Sequence, residues 1–382
     1  MKIENNFSDV LTEKSLLHPN KVYCHKINGR KITFLELEHY VNKCCRFFEE
    51  TGVGFNEVVN ISIPNSISFI VLYFAGLRSG IKVNPCPSTL SENELIKNIN
   101  FVESKLLITQ KLIDADNIPG NCSYLKFNDD DDFLLQLESY RDDKYEQEIC
   151  SDDVACIYYS SGTTDDPKCV LYSHKNMFSL TKSIVNDFQF LSESIHLGVL
   201  PLGHTAITNY QLLPSLYAGS TLFLAENFNS VRGDIWKIIA DLNITYLQVV
   251  PTILFSMMAT PYDEKDVRSN QSLKYIGCGS APLSIESQIN FHNRFDVKVA
   301  NLYGLSETGP SHFDNPLLPD WRPGSIGYPL KVNECKIFNK DLDEVKDGEI
   351  GQIGLKGDNV FVGYYKNKKA YKKSFFNDYF LT

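Results

Sequence analysis

The chain has 382 residues, of which 43% are hydrophobic and 22% are charged, and its formal net charge is −10. This length predicts two or three domains, and the hydrophobic fraction is ample for a buried core. The acidic balance argues against nucleic acid as a partner, because binding a phosphate backbone requires clustered lysine and arginine.

The chain begins with polar residues, Met1 to Asn5, so we expect no signal peptide. Its ten cysteines include no Cys-x-x-Cys pair. These features predict a cytoplasmic protein with reduced thiols. The longest apolar run, Phe69 to Ala75, is too short to span a bilayer. We therefore expect no transmembrane segment, and a buried helix at this run.

Predicted helices and strands alternate along most of the chain. Phe34 to Glu50 has helical periodicity, and Thr33 is of a residue type that caps helix N-termini. Further helices are predicted at 66–80 and 210–217, and strands at 58–63, 105–109, 154–158, 197–200, 221–224, 244–250, 273–276 and 297–300. This alternation predicts largely parallel sheets covered by helices. The acidic run Asp129 to Asp132 is predicted to be a solvated loop. After Trp321, short strands with glycine turns replace the helices and predict a small barrel.

A turn rich in hydroxyl groups follows the predicted strand 154–158. Its sequence from Tyr159 to Lys168 is Tyr-Ser-Ser-Gly-Thr-Thr-Asp-Asp-Pro-Lys. Backbone N–H and hydroxyl groups at a strand end can bind phosphate, and Lys168 can neutralise an anion there. The spacing differs from the Gly-x-x-x-x-Gly-Lys-Ser/Thr loop, which does not occur in this chain. The residues alone also permit an ordinary surface turn.

This stretch resembles the phosphate-loop signature of the adenylate-forming superfamily, Tyr-Thr-Ser-Gly-Thr-Thr-Gly-x-Pro-Lys-Gly-Val. That superfamily comprises acyl- and aryl-CoA ligases, luciferases and the adenylation domains of peptide synthetases. Asp165 and Cys169 stand where the superfamily has glycine. The carboxylate of Asp165 would either repel an anionic triphosphate or lie near Mg²⁺, and the sequence leaves both readings open.

Further segments resemble the same family, in its order. They are Gly80–Pro87 of the N-terminal region, Pro201–His204 at the acyl pocket, Gly277–Ser284 at the adenine and acid sites, Asn301–Thr308 with the Tyr-Gly-x-Thr-Glu motif, and Gly348–Gly357 with Val360–Tyr365. The last segment has the alternation of a β-hairpin. The resemblance spans nearly the whole chain.

The resemblance implies an α/β fold with two stacked, largely parallel β-sheets, flanking helices and a small distorted β-barrel. Residues 1–320 are expected to form the ATP- and acid-binding core, and residues 321–382 the barrel subdomain. In the family the sequence continues beyond the position of Thr382 through an aspartate that binds ribose, then a hinge, and then a C-terminal lid domain with a catalytic lysine. We expect the chain to be the N-terminal domain of such an enzyme, weakly active or inactive without the lid.

The resemblance also implies an acid–thiol ligase. A carboxylate attacks the α-phosphate of ATP, and the resulting acyl-AMP passes its acyl group to CoA, so the implied cofactors are ATP, Mg²⁺ and CoA. Glu307 is expected to hold Mg²⁺, Ser306 to reach the α-phosphate or the acid, and His204 to line the acid pocket. His204 can alternatively be an ordinary packed histidine. The residues expected to bind the nucleotide are Ser160, Ser161, Gly162, Thr163, Thr164, Lys168, Gly279, Ser280, Ala281, Pro282, Asn301, Leu302, Tyr303 and Gly304.

The segment 202–210 bears on the acid substrate, because it contains no aspartate or glutamate. Relatives that activate amino acids place a carboxylate near here, since a buried unpaired ammonium is costly. Its absence favours a fatty, aryl or other plain carboxylic acid, and Gly203 is expected to open room for a longer chain. Two alternatives remain: an enzyme that loads a carrier protein instead of CoA, and a degenerate domain that binds a nucleotide or a protein partner without catalysis.

Overall fold

In this computed structural model the described residues are 6–160, 168–262 and 272–382, with Ser160 described by its backbone only. The helices are α1 (Phe7–Leu17), α2 (Phe34–Glu50), α3 (Ile67–Arg78), α4 (Glu92–Val102), α5 (Asp130–Leu137), α6 (His174–Asp187), α7 (Thr205–Ile207), a π-helical turn (Thr208–Leu212), α8 (Leu213–Ala218), α9 (Ile235–Asp241), α10 (Pro251–Ala259), α11 (Ile285–Phe295) and α12 (Lys368–Lys373). Within these ranges, no helix is long and apolar enough to cross a membrane.

The strands form three sheets. They are β1 (Val22–Lys26), β2 (Lys31–Thr33), β3 (Val58–Ser62), β4 (Lys82–Pro85), β5 (Leu106–Thr109), β6 (Ser123–Lys126), β7 (Val154–Ser160), β8 (Lys168–Ser173), β9 (Ile195–Gly198), β10 (Thr221–Leu224), β11 (Tyr246–Val249), β12 (Tyr275–Cys278), β13 (Val299–Leu305), β14 (Gly309–Phe313), β15 (Tyr328–Pro329), β16 (Asn333–Phe338), β17 (Gln352–Gly357), β18 (Gly363–Tyr364), β19 (Phe375–Phe376) and β20 (Tyr379–Leu381).

Two of the sheets are large and mostly parallel. The seven-stranded sheet has the order β18-β8-β7-β4-β3-β5-β6, and the nine-stranded sheet has the order β15-β14-β13-β12-β11-β9-β10-β1-β2. Within the second sheet the pairs from β1 through β10, β9, β11 and β12 to β13 are parallel, whereas β2, β14 and β15 are antiparallel additions. The predicted α/β class with stacked, parallel-rich sheets is confirmed.

The third sheet is small and antiparallel, with the order β16-β17-β20-β19, and among the described strands it does not close into a barrel. Two other short strands from this last part of the chain do not belong to the small sheet: β15 joins the nine-stranded sheet and β18 joins the seven-stranded one. The expected division of the chain at residue 320 stays a prediction.

Local sequence explains how the central helices form. Helix α2 begins at Thr33, whose hydroxyl accepts from the Glu36 N–H while the Glu36 carboxylate accepts from the Thr33 N–H, a reciprocal cap. Every residue of α3 is buried, as expected of a helix that is apolar over most of its length, and its buried Arg78 is paired with Glu38 at 2.7 Å. The main hydrophobic core reaches from β3 in one large sheet to β10 in the other, with α3 inside it.

The structure corrects three sequence predictions. The acidic run at 129–132 is the start of helix α5 and not a loop, and its Asp130 is buried because its carboxylate accepts hydrogen bonds from the Ile67 and Ser68 N–H groups. Helices do not stop after Trp321, since α12 follows. The segment 348–365 is not a hairpin, because β17 pairs with β16 and β18 pairs with β8.

Candidate active site

A cavity of about 340 Å³ opens where β13 ends and α7 begins. Its lining residues are His204, Thr205, Ala206, Asn209, Tyr210, Ser280, Gly304, Leu305, Ser306, Gly309 and Pro310. Three segments singled out in the sequence therefore meet at one place, and they bring His204, Ser280, Gly304 and Ser306 together. None of the eleven side chains carries a formal charge at neutral pH, apart from the titratable His204.

The hairpin of β13 and β14 forms one wall of the cavity. Tyr303 lies opposite His312 and Gly304 opposite Pro310, with an irregularity in register between these two pairs. A Cβ on Gly304 would lie 2.4 Å from the carbonyl oxygen of Gly309, so only glycine allows this close approach. The backbone of Gly309 has a φ of +60°, in the left-handed region. Gly304 and Gly309, one before and one after Ser306 in the chain, thus set the shape of this wall.

Ser306 and Glu307 follow β13 in a turn that is held from outside the hairpin. The Tyr172 hydroxyl donates to the Ser306 carbonyl oxygen at 2.6 Å, and the Phe361 N–H donates to the Glu307 carbonyl oxygen at 2.8 Å. The Asn359 amide donates to the Thr308 carbonyl oxygen at 2.9 Å. Three consecutive carbonyl groups of the turn are therefore fixed by groups from β8 and from the segment after β17.

The Glu307 carboxylate has a partner of its own in Tyr364. The Tyr364 hydroxyl donates to Glu307 Oε1 at 2.6 Å. Lys168 Nζ stands 5.3 Å from the centre of the Tyr364 ring, within cation–π range. Burial, and then the hydrogen bond to Glu307, raise the pKa of Tyr364, so this hydroxyl stays protonated at neutral pH. The predicted phosphate-binding lysine and the predicted metal-binding carboxylate thus flank the same tyrosine.

Most of the predicted phosphate loop lies outside the described residues, namely Ser161, Gly162, Thr163 and Thr164, together with the side chain of Ser160. The strands on either side of it are described: β7 ends at Ser160, which pairs in register with Lys168 at the start of β8. Cys169 is buried in a cluster with Val58, Val102 and Ile157, and burial raises its pKa to about 12. Its thiol therefore packs in the interior.

The segment after β12 contributes one predicted residue to the cavity. Ser280 has a φ of 68° and lines the cavity. A Cβ on Gly279 would lie 3.0 Å from the Leu302 carbonyl oxygen, so this glycine lets β12 and β13 lie close together. Ala281 and Pro282 are exposed and are not among the lining residues.

The first residues of the Tyr-Gly motif lie beside the cavity and do not line it. Asn301 and Leu302 are buried, and Asn301 pairs with Cys278. The half-buried Tyr303 ring is 5.7 Å from the ring of His312. Burial lowers the pKa of His312 to about 4, so the aromatic neighbour of Tyr303 is neutral at pH 7.

His204 caps the helix that follows it and is exposed to the cavity. Its Nδ1 accepts a hydrogen bond from the Ala206 N–H at 3.3 Å. The imidazole is open to solvent but stands in a concave surface, and desolvation by the surrounding atoms lowers its pKa. The His204 imidazole at the cavity wall is therefore neutral at pH 7.

Gly203 has a different role from the one that the sequence suggested. A Cβ at this position would lie 2.5 Å from the carbonyl carbon and oxygen of Cys86 and 2.7 Å from the Pro87 nitrogen. Gly203 is buried against that backbone and does not line the cavity. The expectation that it opens room for a longer acid is wrong: glycine here permits two chain segments to touch.

The predicted site residues did not include Tyr172, Asn209, Tyr210 or Tyr364, although the segment expected to bear on the acid, 202–210, contains Asn209 and Tyr210. Asn209 and Tyr210 line the cavity from the π-helical turn, a feature that is common at functional sites but has no sequence signal of its own. Tyr172 and Tyr364 hold the Ser306–Glu307 turn. Tyr364 lies within a segment that resembles the family, but its partner Glu307 is 57 positions away in the chain.

A larger cleft of about 550 Å³ lies between the start of α6 and the small sheet. Its lining includes the ion pairs Lys175–Asp358 at 2.8 Å and Lys356–Asp378 at 3.5 Å. Four of its six charged lining residues therefore form ion pairs with one another, and the cleft holds none of the predicted site residues.

Comparisons with known proteins identify the family to which the chain belongs. A family model described as AMP-binding enzyme matches residues 11–365. The chain is 28% identical over 370 residues to a probable CoA ligase, CCL9, of Humulus lupulus, covering 92% of this chain and 69% of that protein. It is 29% identical over 378 residues to 2-succinylbenzoate–CoA ligase of Bacillus licheniformis, covering 97% of this chain and 75% of that protein.

The fold is also similar to solved structures. The anthranilate CoA ligase AuaEII in complex with anthranoyl-AMP superposes with a TM-score of 0.91 at 20% identity, over 100% of this chain and 74% of that one. At this identity the likeness concerns the fold.

Proposed function

Because the chain belongs to the AMP-binding enzyme family, we propose that it uses ATP to convert a carboxylic acid to an acyl-adenylate and that the acyl group then passes to the thiol of CoA. One observation carries the proposal: His204, Ser280, Gly304 and Ser306, taken from three separate segments, line one cavity. Glu307 directly follows Ser306, so the cavity proposed for the acid adjoins the carboxylate proposed to hold the Mg²⁺ of Mg·ATP.

The proposed reaction has two displacements. First, a carboxylate oxygen of the acid attacks the α-phosphorus of ATP, and the bond to the pyrophosphate oxygen breaks as the new O–P bond forms. Next, the CoA sulfur attacks the acyl carbon, and the C–O bond to AMP breaks. Catalysis of the first step rests on positioning and charge neutralisation. In this proposal the Lys168 ammonium faces the phosphates, and the Ser306 hydroxyl bonds the α-phosphate or the acid.

The residues present fit a Mg²⁺ ion brought in with ATP. The described part of the chain contains no group of three or more histidine, cysteine, aspartate or glutamate side chains that could hold a metal ion. Mg²⁺ is commonly bound through one or two carboxylates and the phosphates of the substrate, so a single glutamate suffices. Glu307 would hold it, and when bound it would neutralise charge on the triphosphate.

The cavity also narrows the class of acid. Its volume of about 340 Å³ is near the lower end of the roughly 300–1,000 Å³ common for ligand pockets. A second carboxylate or an ammonium group would be left without an opposite charge among the lining residues, which is costly. We therefore propose a compact acid, aryl or short acyl, whose tail is uncharged, with the Asn209 amide and the Tyr210 hydroxyl available for hydrogen bonds.

The test is pyrophosphate release by the purified chain with Mg·ATP and a panel of acids: benzoate and short fatty acids, dicarboxylates, amino acids and long fatty acids. We expect slow adenylate formation with compact acids whose tails are uncharged, because the lid is absent, and the adenylate can be trapped as the hydroxamate on adding hydroxylamine. Addition of CoA, or of a carrier protein bearing phosphopantetheine, then identifies the thiol. No pyrophosphate release and no Mg·ATP binding would refute the proposed function.

A further inference from the structure

Tyr364 links the nucleotide side of the site, meaning Glu307 and Lys168, to the rest of the fold. Its hydroxyl donates to Glu307 Oε1 at 2.6 Å, and its ring stands 5.3 Å from Lys168 Nζ. Only 6% of the residue is exposed. One buried side chain thus contacts both the carboxylate and the ammonium proposed to meet Mg·ATP.

The position of Tyr364 is fixed by its backbone and by its ring. Strand β18 pairs with β8, with Tyr364 opposite Val170 and Gly363 opposite Leu171. The ring packs against Phe361, with 4.7 Å between ring centroids. Phe361 in turn binds the carbonyl oxygen of Glu307 through its N–H. The backbone and the side chain of Glu307 are therefore held by one short segment, Phe361 to Tyr364.

The hydrogen bond has a direction that suits a metal-binding carboxylate. The Tyr364 hydroxyl donates to one carboxylate oxygen, which leaves the rest of the acceptor capacity of the carboxylate to a cation. Hydrogen bonds of this kind to a ligating carboxylate orient it and tune its affinity for metal. Because Lys168 Nζ also lies within cation–π range of the Tyr364 ring, this one side chain is in contact with an anionic and a cationic group.

We propose that Tyr364 is a positioning residue that orients the Glu307 carboxylate toward the divalent cation of Mg·ATP. The inference rests on the proposed function, because it concerns the same site. It assigns to Tyr364 a role in metal-dependent nucleotide binding and not only in packing.

The test is Tyr364→Phe, which removes the hydroxyl and keeps the ring beside Lys168 and Phe361. Tyr365→Phe is the matched control, because the neighbouring Tyr365 hydroxyl donates to the Val102 carbonyl oxygen at 3.1 Å, away from Glu307. ATP affinity is measured by calorimetry for both variants and the unaltered chain, with Mg²⁺ and with EDTA. Circular dichroism melting reports the fold.

We expect Tyr364→Phe to weaken Mg·ATP binding about fivefold, the size typical of one lost hydrogen bond. Metal-free ATP binding by this variant, and both affinities of Tyr365→Phe, should match the unaltered chain. An unchanged Mg·ATP affinity in Tyr364→Phe, or an equal loss with and without metal, would overturn the inference while leaving the proposed function intact. Absence of Mg·ATP binding by the unaltered chain would instead refute the proposed function, and the inference with it.

Discussion

The cavity proposed for the acid and the side of the site proposed for the nucleotide share the turn after β13 but are built by different means. On the cavity side, backbone segments touch where glycine stands: a Cβ on Gly304 in the wall, or on Gly203 next to the lining residue His204, would lie 2.4 or 2.5 Å from backbone atoms. The nucleotide side depends on side-chain donors, with the Tyr172 and Tyr364 hydroxyls each 2.6 Å from their acceptors. Shape is fixed by close packing on one side and by hydrogen bonds on the other.

This difference predicts that a substitution can reduce ligand binding without reducing the stability of the fold only on the nucleotide side of the site. Adding atoms to a closely packed interior forces neighbours to move and costs about 1–3 kcal/mol. Removing a polar group from the nucleotide side leaves the packing intact and takes away a contact with ligand. A larger residue at a glycine of the cavity wall should therefore destabilise the fold, and changes near Glu307 should mainly weaken binding.

The largest effect is expected for Gly304→Ala. The new methyl carbon would meet the Gly309 carbonyl oxygen at 2.4 Å and the Pro310 Cα at 2.9 Å, and both are backbone atoms that cannot rotate away. We expect the free energy of unfolding to fall by about 2–3 kcal/mol, with loss of adenylate formation. Urea denaturation measures it, with Gly120→Ala as control, because nothing lies within 4 Å of a Cβ there. Equal stability of the two variants would break the comparison on the cavity side.

The next largest effect is expected for Lys168→Ala and Glu307→Ala. Each removes a charge-assisted contact worth about 1.5–3 kcal/mol, so ATP affinity in the presence of Mg²⁺ should fall about 10- to 100-fold. The melting temperatures should stay close to that of the unaltered chain. Calorimetry and melting together decide the matter, with the exposed Lys340→Ala as the charge control. If both variants bind Mg·ATP normally, the nucleotide lies elsewhere.

Asn209→Asp tests the neutral character of the cavity. A carboxylate on the lining would repel the carboxylate of the substrate by about 1–4 kcal/mol at contact distance, depending on the local dielectric. We expect KM for the preferred acid to rise roughly tenfold while KM for ATP stays the same. Steady-state kinetics with each substrate varied separately give both values, and Asn186→Asp, outside the cavity, is the control. Equal increases in the two constants would argue against a location of the acid beside Asn209.

The smallest effect is expected for Asp165→Gly, in the loop outside the described residues. If its carboxylate faces the triphosphate, the variant binds ATP more tightly by about 1 kcal/mol, because a repulsion in water-like surroundings is removed. If the carboxylate instead helps to hold Mg²⁺, binding weakens, and only with metal present. Titrations with and without Mg²⁺ distinguish the two, and no change under either condition would place the side chain in solvent.

Elements whose cause is local were predictable from the sequence. Helix α2 has its predicted bounds and its predicted cap at Thr33, and β10 spans the predicted Thr221–Leu224. The α/β class followed from their alternation. Local patterns failed where a distant partner decides: Asp130 is buried because it caps α3, and β18 leaves its apparent hairpin for β8.

The candidate site shows the same limit. The sequence motifs located the segments that line the cavity, and His204 and Ser306 both do. No sequence motif indicated that Gly203 is needed for contact with the Cys86 backbone, or that a π-helical turn brings Asn209 to the cavity. Close approach of backbones and helical irregularities are tertiary effects, which residue type alone does not encode.

The tyrosine contacts also bear on when the site forms during synthesis of the chain. The Tyr172–Ser306 hydrogen bond joins residues 134 positions apart, and the Tyr364–Glu307 bond closes only after β18 exists. Contacts of such sequence separation form late, since loop closure must precede them. A ribosome-bound chain that ends before Tyr364 can have both central sheets largely paired and still lack the support of Glu307. Competence for Mg·ATP is thus expected to appear as one of the last events of folding, after the core is already protected.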